Sequence, residues 1–553
     1  MAPLAFDRAA MLRRLESEAF DVLVIGGGIT GVGCALDAAT RGLRTALVER
    51  DDFASGTSSK SSKFVHGGLR YLQQGDVRLV YEALHERQRL RRNAPHLVRV
   101  LPFMIPILTK DGVVSKKIAR ALGSAMWMYD LTGGWRIGKI HRRLSAADAL
   151  RHLPTMPADR LAGAYLYFDA ATDDARLCLT VARTAADHGA VVANGCAVVA
   201  ITKDEQGEAT GADVVADGRR FSIRAKFVVN AAGVWSDDVR ALDGSGHPGT
   251  IRPAKGIHVT IPWEKVRNDI AVVIPVPKDK RSLFVVPFGP NPDGTFRHTY
   301  AGTTDTDYDG PLDDPQCTAA DLDYVLRALN ASVTTDITAD DITGTWAGLR
   351  PLVNTGFSEK TADLSRRHRI VTESSGVVSV TGGKLTTYRE MAEDTIDVVA
   401  NRLGLGRKAR CRTKRLRLHG ADGFRDTAPS GSLAAHLGGR FGTGAAAVQA
   451  LIAADPSLGE ELVPGLPYVR AEAVYAARHE MVRSLDDLLS RRTRARLFDR
   501  AAIAEAAAAI GLLVAPELGW DEAETARHVV ELVASIHHEI DSEQPVPSPG
   551  SRS

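Results

Sequence analysis

Residues 21–25, DVLVI, form an unbroken apolar run of strand length that ends at GGGITG, and small residues continue from there with helical character to about Arg41. Gly42 stops that helix, and LRTALV (43–48) is a second apolar run, closed by Glu49. Strand, glycine turn, helix and strand in this order predict a βαβ unit with parallel strands. The apolar FVV (227–229) runs into NAAGVWSDDV in the same way. VVSV (377–380) runs into TGGKLTTYREMAEDTIDVVANRL, where Met391, Thr395, Val398 and Val399 fall on one helical face. Between 251 and 304 the runs IHVTI, AVVIPV, SLFVVPF and HTYAGTT, separated by Pro, Gly and Asp turns, predict an antiparallel sheet. From about 425 onward Ala- and Leu-rich helical patterns take over, and the tail SEQPVPSPGSRS reads as disordered.

The chain has 553 residues, 44% of them hydrophobic, enough for several domains with a substantial core. Lys plus Arg (69) nearly cancels Asp plus Glu (67), and the net charge of +2 argues against a general nucleic-acid binder. The five cysteines (Cys34, Cys178, Cys196, Cys317 and Cys411) are far apart, with no CxxC, so neither a disulfide framework nor a zinc site is expected. No metal is expected either: the acid cluster DTDYDG (305–310) lacks the ligand spacing of a calcium loop and reads as a turn. The N-terminus carries acids and arginines where a secretion signal needs an apolar core, which predicts a cytoplasmic chain. Its longest apolar stretch, Ala506 to Ala515, is bounded by Glu505 and Pro516, too short to span a bilayer.

Gly26, Gly28 and Gly31 have GxGxxG spacing, and Glu49 follows Gly28 by 21 residues. Glycines let the backbone approach a pyrophosphate, the helix N-terminus offers unpaired N–H groups, and the acid can accept from ribose hydroxyls. The motif alone does not separate FAD from NAD. The glycine pair before the later helix favours FAD, because a second helix N-terminus can stabilise negative charge on a reduced flavin.

Together GGGITGVGCALDAATRGL, Glu49, TSSKSSKFVHGGLRYL, NAAGVWSDDV, GTTDTDYDG, GLRPL, TGGKLTTYR and YAARHEMVRSLDDLLSRRTR resemble the FAD-dependent glycerol-3-phosphate dehydrogenases, of the glycine-oxidase-like flavoprotein superfamily, from about residue 18 to residue 500. The resemblance implies an α/β fold: a discontinuous Rossmann-like FAD-binding domain (18–100, 161–250 and 340–405), an antiparallel-sheet substrate domain (251–339), a C-terminal all-helical cap (406–541) and a tail (542–553). Residues 101–160 are assigned to the substrate domain and a membrane-facing segment. It implies oxidation of sn-glycerol 3-phosphate to dihydroxyacetone phosphate, with electrons passing through FAD to membrane quinone. It does not extend to the calcium-binding extension of the animal mitochondrial relatives.

Carried over residue by residue, the cofactor-binding positions are Gly26, Gly28, Gly31, Glu49, Thr57, Ser58, Ser62, His66, Gly67, Gly68, Ala232, Gly233, Gly382, Gly383, Lys384, Leu385 and Thr386. Gly67 and Gly68 would let the backbone pass the flavin ring. Arg70, Tyr71, Lys384 and Arg350 are the substrate-binding positions, with Arg70 and Lys384 on the phosphate and Arg350 on the carbinol oxygen. Arginine cannot serve as a base at neutral pH, so His66 and His258 join Arg350 as catalytic candidates.

A quinone acceptor requires contact with the bilayer. Residues 103–144 interleave apolar and aromatic residues with Lys and Arg, and 401–419 holds eight Lys or Arg and no acid, so both are candidates for peripheral docking on anionic lipid; the run at 401–419 reads equally as a solvated linker. The alternatives are a glycerol-3-phosphate oxidase, which passes electrons to oxygen, and a flavin-dependent RNA-modification protein. Only 33 residues separate Arg350 from Lys384, without the long insertion of some such oxidases, and 401–419 lacks aromatics for base stacking. A homodimer stays open.

Overall fold

The structure, a computed structural model, describes residues 6–68, 76–108, 116–245, 249–279, 281–353 and 368–545. Two sheets and a helical region organise them. In the first sheet the strands Val378–Thr381, Arg219–Asn230, Ala19–Ile25, Thr45–Val48 and Val191–Ala193 lie side by side and parallel. Val22, Leu23 and Val24 are completely buried, which explains why DVLVI is a continuous apolar run. The pairing sets the carboxyl ends level: Ile25 sits opposite both Val48 and Asn230. Gly26, Glu49 and Ala231, each one residue further, therefore share one edge of the sheet, where a doubly wound fold binds its ligand.

The helix Ile29–Thr40 covers this sheet and packs on Tyr388–Arg402, whose Met391, Thr395 and Val399 are buried as the periodicity predicts. Arg389 of the same helix makes a two-pronged ion pair with the buried Glu86 of the helix Val77–Asn93 (2.7 and 2.8 Å), tying the cofactor domain to the second sheet's flank.

The second sheet carries Thr306–Asp307, Ile251–Pro262, Phe296–Gly302, Ser282–Pro290, Ala271–Pro275, Arg99–Leu108, Leu161–Ala171 and Phe64–Val65, with Gly344–Val353 on the other side of Ile251–Pro262. It is antiparallel except where Ala271–Pro275 runs parallel to Arg99–Leu108. Three of its strands, Phe64–Val65, Leu161–Ala171 and Gly344–Val353, fall in stretches assigned from sequence to the nucleotide-binding domain. The chain crosses between sheets within those stretches, and no local pattern marks which sheet a short apolar run will join. The segment DTDYDG, read as a turn, contributes the strand Thr306–Asp307.

Alternation along Ile251–Pro262 sends Ile257, Val259 and Ile261 into a core shared with the helix Ala319–Asn330. His258, between them, joins the opposite, aromatic face with Tyr300 and Trp346.

The C-terminal helices include Arg470–His479, Arg500–Leu518 and Glu522–Ser542. Among the described residues Arg500–Leu518 is long and apolar enough to cross a membrane, but its Ile503, Ala507, Ile510 and Val514 fill this region's core with Leu532 and Ile536. The helix runs through Pro516 rather than stopping before it. The missing N–H would have bonded the carbonyl of Leu512, a residue on the wet side with 70% of its surface exposed.

This region docks on the cofactor domain through buried charge. Arg492 grips both oxygens of Asp52 (2.8 Å each), Arg491 adds a 2.7 Å contact and the amide of Asn194 donates at 2.9 Å. Burial opposes ionisation of Asp52, but Arg492 and Arg491 outweigh it and hold the carboxyl down to about 2.

Candidate active site

A cavity of about 290 Å³ opens at the carboxyl edge of the first sheet. Gly26, Gly28, Glu49, Thr57 and Ser58 line one side, and Ala232, Gly233 and Gly382 to Leu385 line others. Close packing builds its floor. A Cβ on Gly31 would lie 1.9 Å from the carbonyl oxygen of Gly26, and one on Gly26 (φ +112°) would lie 2.7 Å from that of Ala231, so helix and strand meet at a distance only glycine permits.

Glu49 closes the second strand as expected and is already held: its carboxylate accepts from the N–H of Gly27 (2.5 Å) and of Asp51 (2.9 Å). Burial pushes its pKa up to about 7, against the pull of these two bonds. Beyond it Val198, Val239 and Leu242 form an apolar wall. At the mouth, Trp235 donates to Asp313 (2.9 Å) and Arg50 pairs with the same carboxylate (2.6 Å) while lying over the Trp235 ring. These three residues were not singled out in the sequence; Trp235 stands in NAAGVWSDDV, and nothing local connects it to Asp313.

The other end of the cavity is where distant motifs meet. Lys384 precedes the turn Leu385–Thr387 that opens the helix Tyr388–Arg402, and it lines the cavity together with Pro351, the neighbour of Arg350. Thr57 donates to the carbonyl of Leu349 (2.5 Å), pinning TSSKSSK to GLRPL. The N–H of His66 donates to Thr386 (3.1 Å), joining HGG to GGKLTT. Ser62 lies 2.8 Å from Nε2 of His258, whose ring stacks on Trp346 at 4.7 Å and 10°. Burial first, then the charges of Lys63 and Arg350, hold the His258 imidazole well below its ordinary value, so it is neutral at physiological pH.

Arg350 is held by Asp305 (3.0 Å), the hydroxyl of Thr303 (3.1 Å) and the carbonyl of Thr304 (3.0 Å). Asp305 and Thr303 belong to GTTDTDYDG, a segment that carries the family resemblance but whose own pattern did not mark site residues.

Some expectations sit elsewhere. Arg70 and Tyr71 lie outside the described residues. Ser62, His66, His258, Arg350 and Thr386 do not line the cavity, and Gly31 lies in its floor. Gly67 does not line the cavity; its N–H reaches the Tyr129 hydroxyl (3.2 Å) and Asp169 (3.3 Å), and a Cβ there would strike Leu84 at 2.5 Å. Its glycine is needed for close packing against the helix Val77–Asn93, above the buried Arg87–Asp169 ion pair. Gly68 (φ +77°) turns the chain beyond it. In the basic run, Lys414 pairs with Glu393, Arg402 bonds the carbonyl of Gly376 and His419 meets Asp187, so part of its charge is used within the fold.

A glycine floor under one helix N-terminus, an acid at one end and a second helix start at the other fit an extended dinucleotide carrying a redox ring, which defines the class as FAD-dependent oxidoreductases. The family described as FAD dependent oxidoreductase matches residues 21–389, and that described as the C-terminal domain of alpha-glycerophosphate oxidase matches 411–525. Glycerol-3-phosphate dehydrogenase 2 of Mycobacterium tuberculosis is 41% identical over 546 residues, covering 96% of this chain and 91% of its own. The mitochondrial glycerol-3-phosphate dehydrogenase of Mus musculus is 36% identical over 564 residues, covering 96% and 75%. The structure of the glycerol-3-phosphate dehydrogenase of Bacillus halodurans complexed with FAD superposes with a TM-score of 0.76 at 30% identity, over 97% of this chain and 98% of that one. The chain belongs to the FAD-dependent glycerol-3-phosphate dehydrogenase family.

Proposed function

We propose that this chain oxidises sn-glycerol 3-phosphate to dihydroxyacetone phosphate and passes the electrons to membrane quinone. The observation that carries the reading is the meeting of the Arg350 strand with Lys384 and the second helix start at one end of the cofactor cavity. FAD, when bound, supplies the hydride acceptor. Gly26, Gly28, Glu49, Thr57, Ser58, Ala232, Gly233 and Gly382 to Leu385 would hold it, with Gly31 setting the helix.

Lys384, with Arg70, binds the phosphate dianion. Arg350 holds the carbinol oxygen, its fork oriented by Asp305 and Thr303. His258 takes the hydroxyl proton at Nδ1. With a proton on Nε2 shared with Ser62, that nitrogen is the ring's unpartnered buried atom and has a lone pair to accept with. His66 positions the HGG segment through its backbone bond to Thr386.

The oxidase remains the second reading, because the family matching 411–525 is named for one. The 33 residues between Arg350 and Lys384 favour the dehydrogenase. Anaerobic mixing of the FAD-loaded protein with sn-glycerol 3-phosphate is expected to bleach the flavin. Rapid recolouring by a quinone analogue and slow recolouring by oxygen support quinone as acceptor; the reverse order supports the oxidase. Absence of bleaching overturns the substrate.

A quinone acceptor also places the chain at a membrane, at its cytoplasmic face. Leu131 (77% exposed), Trp127, Trp135 and Ile140 stand out in water around the end of the helix Lys116–Thr132, with Arg142 and Arg143 exposed nearby. Apolar rings beside cations suit an interfacial surface. We expect the protein to cosediment with phosphatidylglycerol vesicles, and the double variant Leu131→Asp/Trp135→Asp to lose at least about tenfold in binding while substrate still bleaches the flavin. Unchanged binding moves the contact elsewhere, with residues 401–419 as the next surface to test.

A further inference from the structure

We propose that Lys63, clamped by Asp174 together with Arg494 of the C-terminal helical region, is a positioning residue for His258, setting both the orientation and the protonation of the imidazole. The inference rests on the reading of His258 as proton acceptor.

The geometry begins at one buried carboxylate. Asp174 opens the helix Asp174–Asp187, and its Oδ1 is 3.1 Å from the Lys63 ammonium and 3.1 Å from the Arg494 guanidinium. Its Oδ2 accepts from the N–H (3.0 Å) and the hydroxyl (2.7 Å) of Ser61. Arg494 and Lys63 both also reach the carbonyl of Ser59, at 2.6 and 3.3 Å. Residues 59–63 are thus bound at nearly every step, and these are the residues that surround the histidine. Ser62 meets Nε2 of His258, Tyr300 donates to the Ser62 carbonyl (3.0 Å), and Trp346, on which His258 stacks, donates to the Ser61 carbonyl (3.2 Å).

Lys63 completes the arrangement from inside. Its ammonium lies 4.7 Å from the centre of the Trp346 ring, the same ring that carries the imidazole. The side chains of Lys63, Asp174 and Arg494 are 5%, 0% and 3% exposed, so none of these charges is screened by bulk water. Docking of the helical region would need only Arg494 on Asp174. A second buried cation on the same carboxylate is costly for stability alone, and both Lys63 (φ +61°) and Arg494 (φ +73°) adopt left-handed backbone that side chains disfavour.

A fixed positive charge near a buried imidazole disfavours its protonated form, leaving it able to accept a proton. The ionisable groups facing His258 are Lys63 from the 59–63 segment, Arg350 from Gly344–Val353 and Tyr300 from Phe296–Gly302. Both cations act in the same direction. Burial, then the charge of Arg494, brings the Lys63 ammonium down to about 8 against the pull of Asp174, so it is charged below that pH.

The test uses FAD-loaded protein carrying histidine labelled with carbon-13 at Cε1, the His258 resonance being assigned by its loss in His258→Asn. In Lys63→Met the His258 titration midpoint is expected to rise by about one pH unit, and the acid limb of kcat/KM to move with it, at unchanged flavin content. Lys63→Arg keeps the charge and is expected to restore both. Should the methionine variant fold poorly, Lys63→Gln removes the charge while keeping a donor for Asp174, and the same rise is expected. An unmoved midpoint in the neutral variants, or an equal rise in Lys63→Arg, overturns the proposal. Retained turnover in His258→Asn instead removes His258 as the proton acceptor, while the midpoint still decides the influence of Lys63.

Discussion

Gly31→Val is expected to yield a chain that purifies almost without flavin and does not turn over substrate. Valine brings a Cβ to within 1.9 Å of the Gly26 carbonyl oxygen, far inside van der Waals contact. Gly26 cannot retreat: its N–H is bound to the Val48 carbonyl (2.9 Å), and behind it the Ala231 carbonyl already occupies the space a Cβ would take. The helix Ile29–Thr40 must therefore move off the strand Ala19–Ile25, and packing costs of this kind run to about 1–3 kcal/mol or more.

That displacement falls on the cofactor end. The helix start carries the Ile29 N–H, bonded to Ser58 (2.8 Å), and the Gly27 N–H that holds Glu49. An affinity loss of about 100-fold or more is expected, read as the ratio of flavin absorbance at 450 nm to protein absorbance at 280 nm after gel filtration. A folded chain with the wild-type ratio would show that the helix can shift without disturbing the cavity. Gly33→Val makes a useful contrast, because a Cβ there meets the Tyr388 ring (2.8 Å) rather than backbone, and a ring can turn.

The part of the fold legible in the sequence is the part whose causes are local. DVLVI followed by GGGITG carries its own instructions: buried on both faces, the strand must be uniformly apolar, and the turn must be glycine. IHVTI, SLFVVPF and HTYAGTT also form strands of one sheet, since alternation and turn residues act within a few positions.

Partners across long separations carry no such signal. Asp52 with Arg491 and Arg492, Asp174 with Lys63 and Arg494, and Trp235 with Asp313 are single polar residues that only the folded chain brings together. Gly67 illustrates a subtler limit. The sequence shows that HGG needs backbone freedom but not what presses on it, and Leu84 with Tyr129 is what a side chain at Gly67 would meet. In the same way the pairing of Leu161–Ala171 with Arg99–Leu108 in the second sheet depends on register across an intervening stretch that includes the helix Lys116–Thr132.

Arg350→Leu is expected to lower kcat/KM for sn-glycerol 3-phosphate by about 10³-fold, near 4 kcal/mol of transition-state stabilisation, while the protein keeps its flavin. The guanidinium is fixed in orientation, since Asp305 and Thr303 take two of its nitrogens, and Gly256 makes room, because a Cβ there would lie 2.5 Å from the guanidinium. Neutral leucine cannot stabilise an alcohol oxygen as its proton leaves, and it strands the Asp305 carboxylate, only 6% exposed, without its cation. Lysine restores the charge but not the planar fork, so Arg350→Lys should recover only part of the loss, settling about 30- to 100-fold below wild type. Retained flavin is the essential control, because Pro351 lines the cofactor cavity and a collapsed strand would release the cofactor as well. If Arg350→Leu kept kcat/KM within about threefold of wild type with flavin bound, the carbinol oxygen would have to be held by another group, and Lys384 at the same end of the cavity would be the residue to replace next.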